Sequence, residues 1–274
     1  MSLRRRALPR GWYPDDPQSL RDLVQSWAGP EPRDATAIAA VAPHAGWSFS
    51  GRIAARAAAS LAAAPTIAIF GGHLPSSSAP LAAEESSFDS PLGPIEADLE
   101  LLSALKAHIK LGRDDESDNT VEVLVPIISA LFPGSRLLWL RAPNGSASLE
   151  LGQALFAASR SLGRELACLG STDLTHYGPN YGFSPKGRGG AAEAWVRDTN
   201  DRRFIEALLA LDGDEVLRRG EAERSACSSG AAAAALSFAL AAGATRAELL
   251  EYATSLELRR DESFVGYAAV AFYA

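Results

Sequence analysis

The sequence predicts an α/β fold, a central, mostly parallel mixed sheet flanked by helices. Three observations point there. Short apolar runs alternate with longer alanine- or leucine-rich stretches along the whole chain, the pattern of strands joined by crossover helices. No stretch rich in Gly, Ser or charge interrupts that alternation and no internal repeat is visible, so residues 1–274 are expected to form one domain. Three of the four histidines stand where a strand should run out into a loop, and the carboxyl ends of strands are where open α/β sheets keep their ligands.

Taken in order, residues 37–41 read as a strand and 52–63 as a helix of small residues that packs close to a sheet, with Gly51 opening it. Residues 66–70 are a second, Ile-rich strand bounded by Pro65 and Gly71. The stretch 75–94 is rich in Ser and Pro and reads as a loop region with room for a short hairpin. Asp98 caps a helix running to about His108. A helix over 120–131 is kinked or broken at Pro126, which removes a backbone donor. Residues 136–140 form a strand, Ser148 caps a helix to Leu162, and 165–169 form the strand that leads into the His176 loop. Beyond it, 189–211 reads as a helix, 214–219 as a short one, and 228–242 as a third that Gly243 closes. Two strands, 249–256 and 264–273, finish the chain.

Bulk properties exclude several classes. With 47% apolar residues the chain can bury a large core. A net charge of -7, with no basic cluster beyond Arg4-Arg5-Arg6, argues against nucleic acid as the main partner. That arginine run reads as a mobile, solvated N-terminus. No apolar window of membrane-spanning length exists, and the alanine-rich stretch 231–242 reads as a buried helix. There is no signal-peptide pattern, and two cysteines make no disulfide framework, so a cytoplasmic protein with reduced thiols is expected. The wealth of Ala and Arg suits a GC-rich bacterial genome.

The chemistry lies in the loops. His44 follows Pro43 and precedes Ala45-Gly46, so its backbone is held extended and a ligand can approach closely. His73 follows Gly71-Gly72 and precedes Pro75. One histidine in such a place is more often a hydrogen-bonded structural residue than a ligand; two after successive strands reverse that balance, because neighbouring strand ends bring their rings within reach of one ion. His176 has Asp173 three residues before it, within Ser171-Thr172-Asp173. An Asp–His pair fixes the imidazole tautomer and raises its basicity, which serves a ligand's support or a general base, although an Asx turn beside a surface histidine reads equally well. Cys168 sits in an apolar run and reads as a core residue. Cys227 lies in a polar loop just before a helix, where a thiol is a candidate thiolate ligand or nucleophile, or else a passive half-buried side chain. Glu122 is explained by the helix dipole and His108 as a structural or solvent-facing residue.

Several of these segments, in order, resemble one family. Pro43-His-Ala-Gly-Trp-Ser-Phe-Ser-Gly51 is similar to the PHAGY-x-YSG signature of the Memo family, whose prokaryotic members are called AmmeMemoRadiSam system protein B. Gly11-Trp-Tyr-Pro-Asp-Asp-Pro17, Ser90-Pro-Leu-Gly-Pro-Ile-Glu-Ala-Asp98, Asp118-Asn-Thr-Val-Glu-Val-Leu-Val-Pro126, Gly170 to Gly178, Ala226-Cys-Ser-Ser-Gly230 and Val265 to Phe272 resemble further family segments, so the likeness spans nearly the whole chain. It implies the fold of class III (LigB-like) extradiol dioxygenases, with His44, His73 and Cys227 as metal ligands. His176 and Asp173 would then stand in the place of the dioxygenase acid/base. Iron(II) or copper is the implied ion, with zinc an alternative; two imidazoles and a thiolate suit all three. The chain departs from the pattern at Asn119, which replaces a histidine, at Ser228, which replaces a glycine, at Ala231 or Ala232, where proline is usual, and at Gly71-Gly72, a shortened approach to the second ligand.

Three functions compete on these grounds. The first is a metal-dependent, dioxygenase-like oxidoreductase, acting on a small molecule or peptide. The second is a non-catalytic module that binds a peptide or a phosphate-bearing ligand in the same pocket. The third is metal-assisted hydrolysis, against which the soft thiolate donor argues. The resemblance also implies radical-SAM and AMMECR-type proteins as pathway partners.

Overall fold

The computed structural model describes residues 2–29 and 36–274. Among them, nine strands join one sheet: β1 (Ala39–Ala42), β2 (Thr66–Leu74), β3 (Leu81–Ala82), β4 (Gly112–Arg113), β5 (Arg136–Pro143), β6 (Ala167–Ser171), β7 (His176–Tyr177), β8 (Arg246–Thr254) and β9 (Phe264–Tyr273). Their spatial order is β7-β9-β1-β6-β2-β5-β3-β4, with β8 paired to β9 off this path. The four central strands β1, β6, β2 and β5 are parallel, while β9 and β3 join them antiparallel. The predicted mixed, mostly parallel α/β architecture is therefore the one observed. A smaller sheet of Leu3–Arg4, Ser87–Phe88 and Ile95–Glu96 stands beside it.

Both faces of the central strands are covered, and the period of two along each strand sorts its residues between two cores. Ala39, Val41, Ala68, Phe70, Leu138, Leu140 and Cys168 face one side. Ala40, Ala42, Ile67, Ile69, Leu137, Trp139, Ala167 and Leu169 face the other, where helix α1 (Trp47–Ala59) packs. On the first side helix α2 (Ala147–Ser161) lies against helix α3 (Ser229–Ala241), which is apolar all round and buried from Ser229 to Ala239. Small residues explain how α3 fits. A β-carbon on Gly152 would fall on the Ala234 carbonyl oxygen, one on Gly170 would lie 2.6 Å from that of Ala231, and one on Gly230 would fall on that of Pro143. This close seat presses the N-terminus of α3 onto the carboxyl ends of the parallel strands.

The structure departs from the sequence reading at several points. Helix α1 begins at Trp47 rather than at residue 52, so Gly51 is in its second turn, wedged against Trp27 and Trp47. Tertiary contacts decide this start: the Trp47 N–H donates to the Trp12 carbonyl at 2.8 Å and its indole Nε1 to the Val123 carbonyl at 3.0 Å. Strand β2 runs on to Leu74, with an irregular register between Gly71 and Leu74, so His73 belongs to the strand's end rather than to a loop. The stretch read as one helix over 189–211 divides into Gly190–Trp195, a π turn at Val196–Asn200, and Asp201–Leu209. Pro126 sits in the first turn of a separate helix, Val125–Leu131. Of the N-terminal arginines, Arg4 is not solvated: its guanidinium lies 4.4 Å from the Trp139 ring centroid and donates to the Glu116 carbonyl at 2.6 Å, while Arg5 and Arg6 are exposed.

Asp201 is a fully buried carboxyl that accepts the Thr175 N–H at 3.0 Å and the Tyr252 hydroxyl at 2.8 Å. Burial dominates and pushes its pKa up from 3.8 to about 6. A carboxyl raised in the folded state contributes stability that is intact below its unfolded value and is lost as pH climbs through 6. Chemical denaturation at pH 4 and pH 7 should therefore show Asp201→Asn gaining on the wild type by on the order of 3 kcal/mol across that interval; a pH-independent difference would contradict the assignment. Overpacking at the α3 seat gives a second outcome. Gly230→Ala should lower stability by about 2–3 kcal/mol in the same assay, whereas a neutral effect would show that α3 is not held against Pro143.

Candidate metal centre

Three adjacent strand ends build the site. Pro43 and His44 follow β1, His73 is the penultimate residue of β2, and Thr172-Asp173 follow β6, which lies between the other two. The expectation that β1 and β2 are neighbours is thus corrected. They flank β6, whose trailing residues fill the gap between the two histidines. His73 takes a left-handed backbone conformation, φ 58°, which turns its ring off the strand. Its neighbour must be glycine, because a β-carbon on Gly72 would fall on the Ser228 side chain. Cys227 comes from the opposite direction, in the segment that enters α3.

These three side chains converge. One ligand atom from each of His44, His73 and Cys227 lies within 4.8 Å of the others. Cys227 Sγ is 3.2 Å from His44 Nε2, and the two imidazole rings meet edge to face with centroids 5.0 Å apart. Each ring is anchored through its other nitrogen. His44 Nδ1 lies 2.9 Å from the Ser171 hydroxyl, which in turn donates to the Thr120 carbonyl. His73 Nδ1 lies 2.9 Å from Asp118 Oδ2, and buried Arg141 stands 3.6 Å behind that carboxylate while its Nε donates to the Gly72 carbonyl at 3.0 Å. Both Nε2 atoms are thereby left toward the sulfur, the arrangement that supporting hydrogen bonds give to metal-binding histidines.

Asp173 ties the pieces together. Its Oδ1 accepts the His44 N–H at 2.7 Å, its carbonyl accepts the Cys227 N–H at 3.2 Å, and its Oδ2 is 3.8 Å from His176 Nε2. The positions at which the chain departs from its resemblance also carry contacts. Asn119 donates to the His44 carbonyl at 3.0 Å, and the Ser228 hydroxyl accepts the His73 N–H at 3.2 Å.

The electrostatics follow from this packing. Burial alone would raise the Cys227 thiol, but His44 and His73 outweigh it and hold the pKa well below the usual thiol value. Burial opposes charge on His73, yet hydrogen bonds to Asp118 and Cys227 push its pKa up to about 10. His44 is raised against burial by Cys227 and Asp173, and His176 against burial by Asp173. Burial would lift Asp118 too, but hydrogen bonds from His73 and Thr120 hold it well below the carboxylate range. Cys168, with only burial acting on it, is pushed up; it is the inert core thiol expected.

The centre opens on a cleft of about 570 Å³ lined by His44, His73, Asn119, Asp173, His176 and Tyr267, with Trp12, Phe49, Tyr181 and Arg259 nearer its mouth. The Tyr181 ring leans over His176 with centroids 4.8 Å apart. The structure thus brings together all five residues picked out from the sequence, His44, His73, Cys227, His176 and Asp173. It adds Ser171, Asp118 and Tyr267, whose parts no spacing in the sequence could show. Glu122 does more than face a helix dipole: it accepts the Ala7 and Leu8 N–H groups, each at 2.9 Å, and the Tyr13 hydroxyl at 3.1 Å, and so pins the N-terminal segment. His108 is exposed and away from the site.

Comparison with known proteins finds relatives that align along nearly the whole chain. The Memo-like protein family profile matches residues 4–271. A MEMO1 family protein of Methanococcoides burtonii is 32% identical over 268 residues, covering 94% of this chain and 96% of its own. One of Methanosarcina barkeri is 32% identical over 278 residues, 98% of this chain and 99% of its own. One of Thermococcus kodakarensis is 31% identical over 285 residues, 97% and 98% respectively.

A depressed thiol pKa has a direct consequence. In chelator-treated protein, iodoacetamide should label Cys227 and spare Cys168, and the Cys227 rate should hold as pH falls from 9 to 7, since the thiolate persists. A rate that drops about 25-fold in total over that range, as an unperturbed thiol's does, would contradict the ion pairing described.

Proposed function

This chain belongs to the Memo family, and we propose that His44, His73 and Cys227 hold a transition metal in a non-haem oxidoreductase centre related to that of class III extradiol dioxygenases. The observation that carries this reading is the convergence of three donor atoms within 4.8 Å, with both rings anchored through their far nitrogens. The residues fit such an ion. Imidazole–metal bonds of ~2.0–2.1 Å and thiolate–metal bonds of ~2.3 Å put tetrahedrally arranged donors roughly 3.5 Å apart, close to the spacing present. Two imidazoles and one thiolate suit iron(II) or copper, with zinc the alternative. Once bound, a redox-active ion supplies electron transfer and open positions for a ligand.

The chain's own groups divide the remaining work. Ser171 and Asp118 fix the tautomers of His44 and His73 so that Nε2 of each faces inward. Asp173 faces Nε2 of His176, which leaves Nδ1 as the ring nitrogen available to the cleft. Asp173 raises the pKa of His176 and so favours the protonated ring, and the pair is placed to give a proton to a bound ligand or take one from it. Tyr181 shields one face of the ring from water.

A second reading draws on the exposed rings of Phe49 and Tyr181, with Arg259 at the open mouth. There the cleft is a non-catalytic site for a peptide or a phosphate-bearing ligand.

Elemental analysis after loading with iron(II) or copper and desalting should give about one ion per wild-type chain. Cys227→Ala and His44→Ala should lose it with circular dichroism unchanged. Asp118→Asn should weaken affinity about 10–100-fold, and His176→Ala should bind like the wild type. Full metal retention by Cys227→Ala would refute the ligand set. Ligand binding unaffected by both metal removal and His176→Ala would favour the second reading.

A further inference from the structure

Buried tyrosine hydroxyls usually find a hydrogen-bond partner, and in this protein most do. Tyr13 donates to Glu122 at 3.1 Å, Tyr177 donates to the Gly187 carbonyl at 2.9 Å, and half-buried Tyr252 donates to Asp201 at 2.8 Å. Tyr267 is the exception among the described residues. The residue is 2% exposed, yet its hydroxyl meets no protein donor or acceptor, and it lines the cleft with His44, Asn119, Asp173 and His176. That hydroxyl keeps contact with the solvent of the cleft instead of being sealed in the interior, so a bound acceptor can take its hydrogen bond without any protein bond being broken.

The backbone around it is built for placement. Successive strand residues face opposite sides of a sheet. Gly266 therefore looks onto Asp201, where a β-carbon would fall on the carboxylate, while Tyr267 looks into the cleft. The loop that carries Asp173 and His176 is laced to the same point of β9. The Leu174 N–H donates to the Gly266 carbonyl at 2.8 Å, and the Gly266 N–H donates to the Thr175 carbonyl at 3.1 Å. Tyr267 is thereby held at a fixed offset from Asp173 and His176.

We propose that Tyr267 is a ligand-binding residue of this centre, its hydroxyl donating a hydrogen bond to an acceptor atom of the molecule held beside His44, His73 and Cys227. The ligand class is one that presents an unprotonated oxygen or nitrogen next to the metal end of the cleft. The inference rests on the metal-binding reading above, and its test separates the two.

Cobalt(II) is loaded into the wild type, Tyr267→Phe and Tyr252→Phe, uptake is measured by equilibrium dialysis, and azide is titrated in while the visible spectrum is followed. Phenylalanine removes only the oxygen at 267, so cobalt uptake and thermal midpoint should match the wild type while azide binds about five- to twentyfold more weakly. Tyr252→Phe, which loses a satisfied hydroxyl outside the cleft, should melt lower and bind azide like the wild type. Equal azide affinity in Tyr267→Phe at equal cobalt content overturns the role of Tyr267 and leaves the metal reading standing. Loss of cobalt from Tyr267→Phe also overturns it, by showing that the residue supports the ligands instead. Wild-type protein that takes up no cobalt overturns both readings.

Discussion

Everything at the centre hangs on the buried carboxylate and backbone of Asp173. One residue fixes the backbone of His44, the backbone of Cys227 and the ring of His176, which come from three distant parts of the chain. Removing a charge from water is costly, and the cost is offset only where the geometry satisfies its lone pairs. Here the His44 N–H bonds one oxygen and the His44 and His176 rings stand close by, and together they hold the carboxyl below its ordinary range despite burial. The site is therefore electrostatically closed on itself. Each ring faces a carboxylate or the Cys227 sulfur, and any loose element would leave a buried polar group without its neighbour.

The fold exists to make that closure reachable. Parallel strands end side by side, so β1, β6 and β2 deliver His44, Asp173 and His73 to one edge of the sheet. The remaining donor has to approach from above, and the alanine-rich helix α3 does this by lying closer to the sheet than larger side chains would permit. The two positions where the chain departs from the family pattern near this contact are complementary: Ser228 fills the space that Gly72 leaves and bonds to the His73 N–H.

The strand–helix alternation, the Asp98 cap, the buried alanine helix and the core placement of Cys168 were all legible in the sequence, because each rests on local periodicity or a cap. Only the family resemblance grouped the three donors and the His176–Asp173 pair around one ion. In the sequence itself, His44, His73, Cys227 and that pair stood out as candidates because each lies at a strand end or beside a helix start. What lay outside its reach is long-range. The start of α1 at Trp47 is decided by contacts to Trp12 and Val123, the anchoring of Arg4 by a ring at position 139, and the support of His73 by a carboxylate 45 residues away. Propensity cannot register such contacts. The unpartnered hydroxyl of Tyr267 belongs to the same class, because a missing partner is visible only when every neighbour is in place.

The most direct test of the central claim is X-ray absorption at the metal K-edge of protein loaded with a stoichiometric ion. The account predicts one sulfur near ~2.3 Å and two imidazole nitrogens near ~2.0–2.1 Å, with the sulfur shell absent in Cys227→Ala. A first shell of oxygen and nitrogen alone in the wild type, or a sulfur shell that survives the substitution, would contradict it.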